Sequence, residues 1–138
     1  MRRFQAAYTL ISLNFLIPAL SYAVAPGLAV ASFERVGMLL GGGPYAAAAG
    51  ETGHMWQVLG ATNVLALAFM CLLLQWDLKR FYPVLAPLLF LKGTTAFLYL
   101  CIYVFVDRYP AFLAVFFLDS GTALAMAYFA VRARASLG

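Results

Sequence analysis

Two ionisable residues, Lys92 and Asp119, stand inside long apolar runs of this chain. A charge in such a setting is costly unless it is paired, hydrated by a cavity or neutralised. It therefore marks a path for an ion, proton or ligand, or a point of polar attachment between helices. A carboxylate such as Asp119 can bind a cation, accept hydrogen bonds or carry a proton, and a low-dielectric setting favours its protonated form. A lysine can pair with it, or run its stem toward the nearer headgroups and leave the ammonium there.

Depth decides what each can touch. If residues 107–110 form a tight turn between antiparallel helices, Asp119 comes level with Leu98 and Tyr99. Ser21, Tyr22, Thr62 and Asn63 reach a similar level from the same side. The expectation is a polar layer built on Asp119, with Ser120, Asn63, Thr62 and Tyr22 as its hydrogen-bond partners. Lys92 falls deeper, near Asn14 and Thr122, about 9 Å from the level of Asp119 at roughly 1.5 Å rise per residue. Side chains lean toward the N-terminus of their own helix, which sends these two apart. Snorkelling and a stretched ion pair are both open to Lys92.

His54 is the single histidine, and Glu51 and Gln57 flank it at i−3 and i+3, at the outer mouth of an apolar run. A metal site needs three or four ligands, and neither a second histidine nor a nearby cysteine supplies them. This trio is expected to be interfacial, holding no metal. Cys71 and Cys101 would sit roughly 15–20 Å apart in depth, beyond the about 7 Å that a disulfide spans between Cα atoms. No phosphate-binding glycine loop and no nucleophile elbow occurs. The chain is expected to carry no catalytic set and no cofactor.

The elements that must position these residues follow from composition. Of the 138 residues 65% are hydrophobic and 10% charged, where a soluble domain carries about 25% charged residues. Such a chain cannot cover its surface in water, whereas a bilayer removes that requirement. Four runs reach the roughly 20 residues a spanning helix needs, at about 8–30, 54–76, 84–106 and 111–131. A spanning sheet would have to close into a barrel, and the alternation and strand number of a barrel are missing. The fold class expected is all-α, a four-helix membrane bundle forming a single domain over 1–138.

The links 77–83 and 107–110 are short and each closes on a proline, Pro83 and Pro110, suited to the first turn of the next helix. Short links make the joined helices antiparallel neighbours. The first link is longer, and Val30, Phe33, Val36 and Leu40 recur in it at helical spacing. It reads as a short amphipathic helix at the interface, followed by glycines 41–43, Pro44 and a flexible small-residue stretch at 46–50. Small residues predict packing faces at Gly60 with Ala61 and Ala68, and at Gly121 with Ala125, serving the bundle or a homodimer. Trp56, Trp76, Tyr82, Tyr109 and Tyr8 fall near span ends, as interfacial anchors do.

Arg2, Arg3, Lys79, Arg80, Arg132 and Arg134 gather at one end, against Arg35 and Arg108 at the other. The positive-inside rule then places both termini in the cytoplasm. The basic residues form no stripe, which argues against nucleic acid despite a formal net charge of +4. Arg2, Arg3 and a later Ser21-Tyr22-Ala23 resemble a signal peptide. The apolar run continues past that point to Val30, so a retained span is expected.

The length, the longer first link, the 54–76 run with Gly60, and Asp119 early in the last run together resemble the small DoxX-like bacterial membrane proteins. The resemblance implies a four-span plan and carries over no functional residue. With almost no polar surface outside the spans, the chain is expected to be a non-enzymatic accessory or assembly partner of a membrane complex, in a bacterial inner membrane. Its expected partners are the bilayer and a second copy or larger complex. One alternative is a small oligomeric transporter or ligand-binding protein using Asp119. Another is an enzyme acting on a membrane lipid or quinone. A polar cavity around Asp119 would favour the transporter or ligand-binding alternative, and a sealed apolar surround would exclude it.

Overall fold

Proline and glycine set where the helices begin and end. The computed structural model describes residues 1–45 and 51–137, the side chains of 51–56 excepted. Helix α1 runs Arg2–Val24 and stops at Ala25, whose φ of −141° and ψ of 67° are not helical. Pro26 is the cause, because a residue preceding proline is pushed out of the α region. Pro26 then opens α2, Pro26–Leu39, at its first turn. The first span expected at 8–30 is thus displaced toward the N-terminus, and residues 26–30 belong to the next helix. Mean hydropathy could not reveal this, since the apolar character continues across the break.

Helix α3 is Glu51–Trp76, followed by the short α4, Leu78–Phe81, and a 3-10 turn, Tyr82–Val84. Asp77 caps α4 by accepting the Arg80 backbone N–H at 3.1 Å. Helices α5, Leu85–Phe105, and α6, Pro110–Ala135, complete the chain, and no strand occurs among the described residues. Four segments are long and apolar enough to cross a bilayer, Arg2–Val24, Gln57–Trp76, Leu78–Phe105 and Pro110–Ala135. The chain is all-α, and this pattern is that of a multi-pass membrane protein.

The long helices pack chiefly as two antiparallel pairs, α1 with α3 and α5 with α6, with α1 also touching α6. Polar ties set the register of the first pair. Thr9 donates to Gln75 Oε1 at 3.0 Å, Gln75 Nε2 donates to Ser12 at 2.9 Å, and Gln57 Nε2 donates to the Ala23 carbonyl at 3.3 Å. The core lies toward the end that carries both termini, where Tyr8, Phe15, Cys71, Leu74, Leu88 and Met126 are fully buried. Tyr8 is therefore no interfacial anchor: its hydroxyl donates to the Met126 carbonyl at 2.8 Å inside the bundle.

At the opposite end α2 packs across α1 and α6. Of its expected apolar stripe only Phe33 joins the buried aromatic cluster; Val30, Val36 and Leu40 stay exposed. Gly37 is needed there, because a Cβ at that position would overlap the Tyr109 ring. Tyr109 lies in this seat and donates to the Glu34 carbonyl at 3.1 Å. It is a clamp on α2 and not a headgroup anchor. Gly121 behaves in the opposite way, since a Cβ there would meet nothing within 4 Å. The same holds at Gly60, so these two expected packing glycines do not bring helices together within the chain.

Candidate functional site

Lys92 and Asp119 meet. Helices α5 and α6 run antiparallel as neighbours, and the Lys92 Nζ lies 2.5 Å from Asp119 Oδ1. Both residues are buried, with side chains 10% and 7% exposed. The Lys92 stem bridges the offset between the two levels, and its ammonium also rests 4.9 Å from the centre of the Phe15 ring on α1. The leaning of the side chains is overridden because an unpaired charge at this depth costs several kcal/mol more than one held by its counter-ion. Phe15 adds a cation–π contact that spacing alone did not suggest.

The pair is not sealed off. It lines a cavity of about 200 Å³ whose other walls include Asn14, Pro18 and Tyr22 of α1, Asn63 of α3, and Thr95 and Tyr99 of α5. Asn14 and Asn63 are exposed residues although they line it. Pro18 has no N–H, so the Asn14 carbonyl four residues earlier lacks its helical donor. A backbone acceptor is thereby released beside the cavity, the arrangement in which interrupted membrane helices are tolerated. Among the described residues only the Lys92 ammonium hydrogen-bonds to the Asp119 side chain, and no fully buried side-chain nitrogen or oxygen is left unsatisfied.

Of the residues expected in the polar layer, Asp119, Lys92, Asn63 and Tyr22 therefore share one cavity. Thr62 does not join them. It is exposed and lines two grooves on the α1–α3 face, in one of them beside Gln57. It directly precedes Asn63 in the chain, and the helical rotation of about 100° per residue turns it to another face. Ser120, adjacent to Asp119, is half-buried and takes no part in the pair. The side chains of His54 and Glu51 lie outside the described residues, as does the 46–50 stretch. Gln57 serves as a tie between α3 and α1. Among the described residues no three His, Cys, Asp or Glu side chains gather to hold a metal ion. Cys71 is buried and Cys101 half-buried, and both are free thiols.

A second cavity, of about 190 Å³, is walled by Tyr22, Phe33, Tyr45, Tyr99 and Phe112, with Ala29 and Val30. Tyr22, Phe33 and Tyr99 line both cavities, so an aromatic vestibule under α2 adjoins the polar chamber. Its rings pack edge-on or tilted, with centroids 5.1 Å apart for Phe33–Tyr45 and for Phe33–Phe112. The Tyr45 backbone N–H donates to Glu34 Oε1 at 3.3 Å, holding the chain after α2 over this space. Burial, with the Asp107 carboxylate nearby, raises the Tyr45 phenol above its ordinary range, so it stays a neutral hydrogen-bonding group. Sequence reasoning did not single out Phe33 and Tyr45 as wall residues, because only the fold of α2 back over α6 brings them there.

No family model, curated protein or solved structure matches this chain.

Proposed function

We propose that this chain is a multi-pass protein of a bacterial inner membrane that binds a small polar ligand in the chamber at the Lys92–Asp119 pair. The observation that carries this reading is the cavity itself. A pair serving only as glue between α5 and α6 needs no space beside it, whereas here all four long helices contribute to the walls of about 200 Å³. Asn14 and Asn63 add donors and acceptors from the helix pair opposite the ionic one. Binding, or transport built on it, is the chemistry supported by a chamber that sets a paired ammonium and carboxylate opposite two amides. In this reading both termini face the cytoplasm. Arg134 stacks over Tyr82 at 3.8 Å, which joins the basic C-terminal end of α6 to the basic 77–83 link. The positive-inside rule supports the orientation, and the DoxX-like plan is consistent with it.

The test is solvent access at position 63. Asn63→Cys, in a background with Cys71→Ala and Cys101→Ala, is placed in lipid nanodiscs and treated with a charged methanethiosulfonate reagent. Rapid modification is expected, slowed by a ligand that fills the chamber. Failure to react, in a protein that folds normally, would show a dry interior and sink the binding reading.

A second reading has its own observation. A groove of about 660 Å³ runs between α1 and α3, where Leu13, Leu16, Leu65, Leu72 and Phe69 share the walls with alanines and a few polar side chains. A second copy or a larger membrane complex seated on this groove would make the chain an accessory or assembly subunit. Cross-linking from Leu13→Cys or Leu72→Cys in native membranes tests it, with adducts of defined mass expected.

A further inference from the structure

The vestibule and chamber together have a chemical polarity that selects a ligand class, if the chamber binds a ligand as proposed above. The Lys92 ammonium is committed twice, to Asp119 Oδ1 and to the Phe15 ring. The opposite partner is committed once. Asp119 is 5% exposed, accepts only the lysine among the described residues, and lines the chamber. It shares the chamber with Tyr22, Phe33 and Tyr99, the residues that also wall the vestibule. Asp119 Oδ2 has no hydrogen-bond partner among the described residues, so the uncommitted group of the pair is the carboxylate.

The vestibule has the same preference. Aromatic faces attract cations through their quadrupole, and cages of several rings recognise alkylated ammonium groups. The cationic side chains that stack on rings in this protein do so on Phe81, Phe15, Tyr128 and Tyr82, so among the described residues no cation occupies the faces of Phe33, Tyr45, Tyr99 or Phe112. Asp107 stands two residues before Tyr109, whose ring packs 4.8 Å from that of Tyr45. An anionic ligand would have to draw Lys92 past its own counter-ion. A neutral one would leave the desolvated Asp119 charge unused. Each cavity, near 200 Å³, falls below the about 300–1,000 Å³ of sites for drug-sized molecules.

We propose that the vestibule between α2, α5 and α6 binds a small alkylated ammonium ion, its methyl groups against Phe33, Tyr45, Tyr99 and Phe112 and its charge turned toward Asp119. Displacing part of the Lys92 contact then lets the cation pass from the aromatic vestibule to the polar chamber.

The experiment uses the full chain in nanodiscs, with choline as the probe and 3,3-dimethylbutan-1-ol as its uncharged isostere, followed by calorimetry and saturation-transfer NMR. Choline is expected to saturate one site, with the isostere at least about tenfold weaker, the order of a desolvated cation–π contact. Phe33→Leu should weaken choline by about tenfold and Phe33→Tyr should not, while Asp119→Asn should weaken it further. Because Asp119→Asn leaves Lys92 unpaired and can unfold the bundle, the Phe33 variants, on a helix outside the four long ones, decide independently. Equal binding of the two probes would overturn the cation assignment and leave the ligand-binding reading standing. Absence of binding by both, with Asn63→Cys still modified, would also overturn it alone. Absence of binding together with an unreactive position 63 would overturn both.

Discussion

Lys92 and Asp119 illustrate how a membrane interior changes the value of a single side chain. Their contact at 2.5 Å satisfies two charges that neither lipid nor neighbouring leucines could stabilise. Removing one partner should therefore cost far more than removing both. Lys92→Met or Asp119→Leu alone is expected to destabilise the protein by about 3–5 kcal/mol, and the double variant to recover most of that loss. Reversible denaturation in mixed micelles measures it, and additive losses would show that the pair is not coupled. Gln75 is the corresponding residue of the neutral ties, joining Thr9 and Ser12 of α1 in one amide. Gln75→Leu is expected to cost about 1–3 kcal/mol, as two hydrogen bonds of ordinary strength do. Sequence alone made Lys92 and Asp119 visible because charge is rare in an apolar run. It could not show Phe15 beneath the ammonium, since a phenylalanine on α1 looks the same whether it faces lipid or a cation.

Elements differ in how firmly their residues dictate them. Pro26 ends α1 by local sterics, and Pro110 begins α6 by the same preference for a first turn. Glycines are less legible. Gly37 and Gly121 are equivalent on paper, yet one lies under the Tyr109 ring and the other meets open space. Gly37→Ala is expected to unseat α2, destabilising by about 1–3 kcal/mol through overpacking. Gly121→Ala is expected to be neutral or stabilising by up to about 1 kcal/mol, through helix propensity. Thermal unfolding of the two variants side by side checks this, and equal losses would refute the seat. The spacing of Phe33 with Val30, Val36 and Leu40 predicts a helix here. It does not predict which of them packs, because a hydrophobic stripe on a helix at a bilayer can face protein or lipid at similar cost.

For the molecule as a whole, the arrangement of ends matters most. Both termini and the 77–83 link lie together, and α2 with the 107–110 turn forms the opposite end. In the proposed orientation, the first group faces the cytoplasm. Reporter fusions at residue 138 and within 41–45 are expected to read cytoplasmic and external respectively, and the reverse pattern would invert the route by which a ligand reaches the vestibule. The exposed leucines and phenylalanines of the long helices fit lipid, against which they pay no penalty.

The all-α class, the four apolar segments and the basic bias between ends were determined by the sequence itself. Each follows from a property summed along the chain: hydrophobicity over a span, the proline positions, and the placement of arginine and lysine. The tertiary structure alone decided that Lys92 reaches Asp119, that Asn63 joins them while Thr62 turns away, and that Tyr8 lies in the core. Those outcomes depend on the rotation of each helix about its axis. In lipid, hydropathy barely constrains that rotation, because an apolar side chain is equally at home facing a neighbouring helix or the bilayer.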